Sequence, residues 1–285
     1  MINKRMVITL ALFLLLINTQ CQNMKAEKNI DLSQTTIKID SCGLYYKGQR
    51  LDLGTPISEW EKILGKPSRS FLAYHDEFNA GSFVWDDLGI SIDNFQNGDG
   101  KVANVYVYFI NLDSPEGKAG QLNYAREFES ADNIVKRNME NGVSLISDER
   151  KKEIEIENKE KIKEFIYPFT TYKGYVNLHG FPVCAGMKVG EINSYRKDLH
   201  YSGEFGYVDD DIDGVNDSGN TTETFGGDYR APGEECKDNR LQYYELTYTA
   251  TGALEYLKIG YESLNDSKNR KEIDEDRKER ERDMK

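Results

Sequence analysis

The sequence predicts an α+β fold built from two related modules, each with two strands, one helix and then an antiparallel meander, the helix packed on one face of the sheet. Three observations carry this. Tyr45–Gly65 reads as strand, turn, strand, helix; residues 82–110 alternate apolar and polar between turn clusters; and the pattern of Tyr45–Gly65 returns later in the chain.

Lys47-Gly48 lies between two apolar-rich runs, and glycine tolerates the positive φ of a tight hairpin, so Tyr45–Leu53 reads as a β-hairpin. Thr55 is placed to cap a helix, with Pro56 at its first position, where a missing N–H costs nothing. Ile57, Trp60, Ile63 and Leu64 then form one apolar stripe, and Gly65 before Lys66-Pro67 ends it. Ile37 and Ile39 alternate as a half-buried strand before the hairpin. Short strands follow at Ser70–Tyr74, Ser82–Trp85, Gly89–Ile92 and Val102–Ile110, the last with Val105, Val107 and Phe109 on one face and Tyr106 and Tyr108 on the other.

The repeat appears when this stretch is slid along the chain. Lys47-Gly48 falls on His179-Gly180, Leu51 on Val183, Leu53-Gly54 on Ala185-Gly186, Ile57 on Val189, Glu59 on Glu191 and Trp60 on Ile192, without a gap. The last strands align at a larger offset, with Gly100 on Gly252, Val105 on Leu257 and Val107 on Ile259, so module two holds an insertion of about twenty residues. The predicted organisation is a signal peptide over 1–20, a tether over 21–35, module one over 36–112, a charged and partly helical linker over 113–165, module two over 166–265 with an acidic insertion over 203–238, and a charged tail over 266–285. In the linker, Ser147-Asp148-Glu149 starts a helix and Lys151–Glu164 reads as its solvated body.

Residues 1–20 place Lys4 and Arg5 before the apolar run Met6–Ile17, too short to span a bilayer and shaped like a secretory leader. Cys21 follows, so the start resembles a bacterial lipoprotein precursor in which that cysteine is lipidated. Asn18 and Gln20 depart from the usual cleavage box, and looser boxes of this kind resemble those of Bacteroidota. The expected location is the cell envelope, lipid-anchored at Cys21, with plain secretion as the alternative. Without the leader, which carries two bases and no acid, the formal charge is two units more negative than the −12 of the chain. Such a surface disfavours nucleic acid and anionic lipid headgroups, and favours cations or basic partners, against plain solubility as its ordinary meaning. Membrane contact is expected through the N-terminal lipid only.

The insertion 203–238 carries eleven acids and two bases. Within it Asp209, Asp211 and Asp213 stand at positions one, three and five, with Gly214 at six, Val215 offering a carbonyl and Asp217 a ligand through water. The spacing resembles the calcium loops of EF-hands and dockerin-like repeats, although Asn220 stands where the bidentate Glu belongs. Calcium is therefore the one cofactor the sequence suggests, against a plain solvated acidic loop. With Cys21 given to lipid, Cys42, Cys184 and Cys236 leave one thiol over; Cys184 and Cys236 share module two and form the expected disulfide, with Cys42 buried.

No catalytic residue is assigned. His75, His179 and His200 have no metal-binding spacing, and no nucleophile elbow, HExxH, phosphate loop or Cys-x-x-Cys occurs. Glu59 and Glu191 suit helix first turns. Strand aromatics, Tyr45, Tyr46, Trp85, Tyr106, Tyr108, Tyr243, Tyr244, Tyr248 and Tyr256, are numerous enough that some are expected to face outward, where exposed tyrosines would make a protein-binding surface. For any one of them, cross-strand stacking within its sheet is the expected role.

Trp60–Arg69, WEKILGKPSR, followed by Val84–Ile90, VWDDLGI, resembles an uncharacterised family of bacterial lipoprotein domains that share LGKPxR and VWDDLGI motifs. The helix-then-Leu-Gly-x-Pro junction is similar to small envelope lipoproteins of the outer-membrane assembly accessory type and to tandem β-lactamase inhibitor domains. Here two strands precede the helix, and the inhibitors' cysteine pairs are absent. These resemblances imply an α+β binding module. The expected function is a cell-envelope lipoprotein that binds a protein partner, with an immunity or inhibitor protein, or a hydrolase lacking a local signature, as alternatives.

Overall fold

The computed structural model describes residues 30–40, 43–73, 77, 79–94, 99–200, 240–249 and 251–263; the leader, Cys21, Cys42, His75, the acidic insertion with Cys236, and the charged tail lie outside them. In chain order the elements are β1 (Ile37–Ile39), β2 (Leu44–Tyr46), β3 (Gln49–Leu51), α1 (Ile57–Leu64), β4 (Arg69–Leu72), β5 (Gly81–Trp85), β6 (Ile90–Asp93) and β7 (Asn104–Tyr108). There follow α2 (Pro115–Lys118), α3 (Ala131–Glu140), α4 (Asp148–Lys161), β8 (Val176–Leu178), β9 (Phe181–Val183), α5 (Val189–Asp198), β10 (Arg240–Tyr248) and β11 (Leu254–Ser263). The fold is α+β, as the sequence predicts.

Both predicted hairpins form, and their turns match residue for residue: Lys47 and Gly48 have φ of 49° and 77°, His179 and Gly180 of 50° and 92°. Two consecutive positive φ values define the turn whose twist suits a two-residue hairpin, which explains glycine at the second position of each. Helix α1 buries Trp60, with Ile57, Ile63 and Leu64 packed on the core. Its start differs from expectation. Pro56 occupies the cap position without a side-chain cap, and the Thr55 hydroxyl instead donates to the Asp52 carbonyl and accepts from Trp60 Nε1 at 3.1 Å. An indole N–H buried in an apolar site needs an acceptor, and Thr55 supplies one.

The modules do not own separate sheets. One sheet has the order β3-β2-β1-β8-β9 and takes the hairpins of both halves, β1 running parallel to β8 through Ile37↔Val176 and Ile39↔Leu178. The other, β10-β11-β7-β6-β5-β4, takes the meander strands of both, β11 pairing with β7 through Leu257↔Val107 and Ile259↔Val105. The sheets face one another across a shared core that includes Ile37, Ile39, Leu44, Val176 and Phe181 from the first and Trp85, Ile92, Val105, Val107 and Leu257 from the second. Trp60 of α1 and Val189 and Ile192 of α5 fill the same core. The void among Ile37, Trp60, Leu64 and Val107 is only about 10 Å³, at the limit of what a single water molecule needs.

The linker is also not a spacer. Leu112, Leu122, Ala125, Phe128 and Tyr167 join Tyr108 and Tyr256 in a second core on the far face of the six-stranded sheet, which is thereby covered on both sides. Ser147 does cap α4, accepting from the Arg150 N–H, and Ile154 is the buried residue of that helix. Among the described residues no helix is long and apolar enough to cross a membrane.

Candidate functional site

Two places stand out as candidates for function: the meeting point of the LGKPxR and VWDDLGI motifs, and the outer face of the five-stranded sheet.

The motifs meet across β4 and β5. Trp85 Nε1–H donates to the Gly65 carbonyl at 2.8 Å, Ser68 N–H to the Val84 carbonyl at 2.7 Å, and Arg69 grips Asp86 with two parallel bonds, Nη2 to Oδ1 at 2.8 Å and Nε to Oδ2 at 2.9 Å. Arg69 spends its remaining donors on the linker, with Nη1 reaching the carbonyls of Lys163 and Phe165 and Nη2 that of Tyr167. Asp86 Oδ1 accepts from the Phe169 N–H, and the guanidinium lies 4.3 Å from the centroid of the Phe169 ring. Gly89 completes the junction: its φ is 71°, and a Cβ there would stand 2.3 Å from the backbone nitrogen of Tyr172. A planar, fully hydrogen-bonded Arg–carboxylate pair of this kind fixes geometry. The motif residues thus clasp the segment 163–172 to the sheet, and their chemistry is used up in doing so.

Further along the same face, Glu255 is buried and its carboxylate accepts from the Asn123 N–H, the Asn123 side-chain amide and the Tyr167 hydroxyl. Burial pushes its carboxyl above the usual range, partly offset by these donors and by the charge of Arg126. Asp93 is raised for the same reason, while accepting from Asn104 Nδ2 and the Tyr106 hydroxyl. A carboxyl raised in the folded state stabilises the fold below the ordinary carboxylate range and loses that contribution as pH climbs through the elevated value. The stability gap between wild type and Glu255→Gln should therefore narrow, or reverse in favour of glutamine, as pH rises from about 4.5. Urea unfolding across pH reads this, and a gap independent of pH would refute it.

The five-stranded sheet differs. Its inward residues are buried, but Lys38 and Arg50 are exposed, and Tyr45 and Asn177 half-buried, on the outward side. Between the turn Leu32–Gln34 and the β2–β3 turn lies an open cleft of about 490 Å³, lined by Ser33, Thr35, Thr36, Lys38, Tyr45 and Asn177. The volume is within the range of ligand-binding clefts. Asn177 Nδ2 donates to the Leu32 carbonyl at 3.5 Å, and Lys38 lies over the Tyr45 ring at 5.4 Å and 3.3 Å from Asp40. Paired side chains thus shape a polar surface with hydroxyls, an amide and an ammonium exposed together.

The strand aromatics mostly pack inside the molecule, with the rings of Tyr106 and Tyr108 on β7 meeting that of Tyr256 on the neighbouring β11. Tyr46, Trp85, Tyr108, Tyr244, Tyr248 and Tyr256 are buried, and Tyr106 is half-buried with its hydroxyl bonded to Asp93; the side chain of Tyr243 lies outside the described residues. Among the described side chains of that set, Tyr45 alone stands on the open face. Tyr46, Trp85, Tyr244 and Tyr248 lie in the core between the sheets, while the linker's apolar residues cover Tyr108 and Tyr256. His179 sits in its turn, 5.6 Å from the Tyr244 ring, and His200 has φ of 62°. Glu191 is in the first turn of α5, accepting from the Lys188 N–H at 2.8 Å. Cys184 is buried at the end of β9, whereas Cys236 and the acidic loop with Asp209, Asp211, Asp213, Val215 and Asp217 lie outside the described residues. Among the described residues no cluster of three or more His, Cys, Asp or Glu side chains could hold a metal. The sequence reading missed Lys38, Asn177 and the hydroxyls of 33–36, since they come together only when β1 pairs with β8.

No curated protein and no solved structure matches the chain. A domain of unknown function, DUF7738, matches residues 36–193, which take in the motif clasp and, of the cleft, Thr36, Lys38, Tyr45 and Asn177 but not Ser33 or Thr35. That match takes in more than half of the chain, and the protein belongs to the DUF7738 family.

Proposed function

We propose that this protein is a cell-envelope lipoprotein, lipidated at Cys21, that binds a protein partner through the outer face of the five-stranded sheet. One observation carries the reading: among the described residues, the larger sheet is covered on both sides, while the smaller keeps an uncovered polar face with a cleft of about 490 Å³. Lys38 and Arg50, exposed on that face and paired there with Asp40 and Asp52, are cations that an acidic segment of the partner could engage in place of those weak surface pairs. The leader and Cys21 would hold this face near a membrane. Calcium bound by the loop at Asp209, Asp211 and Asp213 belongs to the same reading, as does a Cys184–Cys236 disulfide.

The test is affinity capture of the lipidated protein from its own envelope, beside the Lys38→Glu/Arg50→Glu variant, in calcium and in chelator. A species held by wild type and lost by the variant is expected. Identical captures would dismiss this face, and equal capture in chelator, with no heat on calcium titration, would dismiss the metal.

A further inference from the structure

Seven large apolar side chains are exposed among the described residues, and four of them belong to the α3–α4 hairpin: Met139 at 65 %, Val143 at 55 %, Leu145 at 60 % and Ile156 at 64 %. Three of the four lie at its tip, in the last turn of α3 and the loop 141–147. Scattered apolar residues on a surface are ordinary, but a group on one tip calls for a partner. The hairpin is held in place behind the tip, by buried Ile154 and by Asn158 Nδ2 donating to the Glu129 carbonyl at 2.9 Å, so the tip projects from an anchored base.

Charge distinguishes the partner. Residues 136–152 hold five bases and three acids, opposite in sign to the chain as a whole at −12. Lys136, Arg137, Arg150, Lys151 and Lys152 flank the apolar tip, the first four in exposed ion pairs with Glu140, with Glu129, with Glu153 and Glu157, and with Asp148, pairs weak enough at a surface to exchange for phosphate. Beside them an open groove of about 360 Å³ is lined by Lys151, Lys152, Lys159 and Ile156 together with Asp132 and Glu155. Apolar residues at a projecting tip, with cations around them, suit a surface that presents phosphates above hydrocarbon. A second copy is a poor fit. Three exposed side chains fall well short of the roughly 800 Å² that one partner gives to a standard protein interface.

We propose that the α3–α4 tip is a second membrane contact, with Met139, Val143 and Leu145 entering the boundary between headgroups and acyl chains while the flanking lysines and arginines meet lipid phosphates. It rests on the reading of Cys21 as lipidated. The eight residues between Cys21 and Ile30 reach about 30 Å at full extension, so an anchored body stays within one domain diameter of the bilayer. Three aliphatic side chains bind weakly alone, and the anchor supplies the high local concentration that makes a weak contact count.

The experiment is flotation of the full chain without its leader and with Cys21→Ser, on vesicles of phosphatidylethanolamine and phosphatidylglycerol. The Val143→Asp/Leu145→Asp variant, whose changes are at exposed positions, is compared after circular dichroism shows it folded. The bound fraction should fall about tenfold in the variant. Equal flotation of both, flotation of neither, or a tip-dependent dimer in sedimentation would overturn the proposal. Acyl incorporation at Cys21 is measured separately in cells: acylation without tip-dependent flotation removes the tip contact alone, and tip-dependent flotation without acylation removes the anchor alone.

Discussion

Asp86→Ala should cost about 3–5 kcal/mol of unfolding free energy, the range for removing one member of a buried, hydrogen-bonded ion pair. Arg69 and Asp86 have side-chain exposures of 15 % and 9 %, and their two bonds are 2.8 and 2.9 Å long. Without the carboxylate, the guanidinium is left desolvated beside Phe169, and the Phe169 N–H loses its acceptor. Arg69→Met should cost a similar amount through a different loss, since the carbonyls of Lys163, Phe165 and Tyr167 then go without their donor. The pair Arg69→Met/Asp86→Leu separates these effects. If charge alone mattered, apolar replacement would recover most of the stability; here the orphaned carbonyls should keep the double variant well below wild type. Urea unfolding of these proteins, with Asp86→Leu added so that the cycle closes, separates the terms, and an Asp86→Ala cost under about 1 kcal/mol would show the clasp to be a surface-like pair.

Trp60→Ala is the second large effect, again about 3–5 kcal/mol, from a cavity in a core that leaves almost no void around the ring. Trp60→Phe isolates the indole N–H, which donates to Thr55 Oγ1 at 3.1 Å and to the Asp52 carbonyl at 3.3 Å. That substitution should cost roughly 1–2 kcal/mol, partly from lost volume and partly from the Thr55 hydroxyl losing a partner. The same unfolding measurement checks both, and equal costs for Ala and Phe would mean that the hydrogen bonds, rather than the packing, hold the helix.

Why the motifs were legible and the site was not follows from the residues themselves. Leu64-Gly65-Lys66-Pro67 announces the end of a helix, and Asp86–Gly89 announces a turn, because both signals are written in adjacent residues. That Arg69 and Asp86 would meet could be anticipated only once β4 paired with β5, and that both would grip residues 163–169 depends on contacts about eighty to a hundred positions apart in the chain. The linker misled for a related reason. Its charges, such as those of α4, are real and solvated, but Leu112, Leu122, Phe128 and Tyr167 are spaced without a period, so nothing local marked them as one apolar face.

By itself, the sequence determined the α+β class, the two hairpins with their positive-φ turns, the apolar stripe of α1, and the assignment of Val105 and Val107 to one face and Tyr106 and Tyr108 to the other. These are short-range consequences of backbone sterics and of periods of two and 3.6 residues. Only the tertiary structure decided which strands became neighbours. Alternation says which side of a strand is buried, yet it is silent about which edge finds which partner, and β1 chose β8 while β7 chose β11. That choice brought the hairpins of both halves into one sheet and their later strands into the other, and among the described residues it left Lys38, Tyr45 and Asn177 together on an uncovered face.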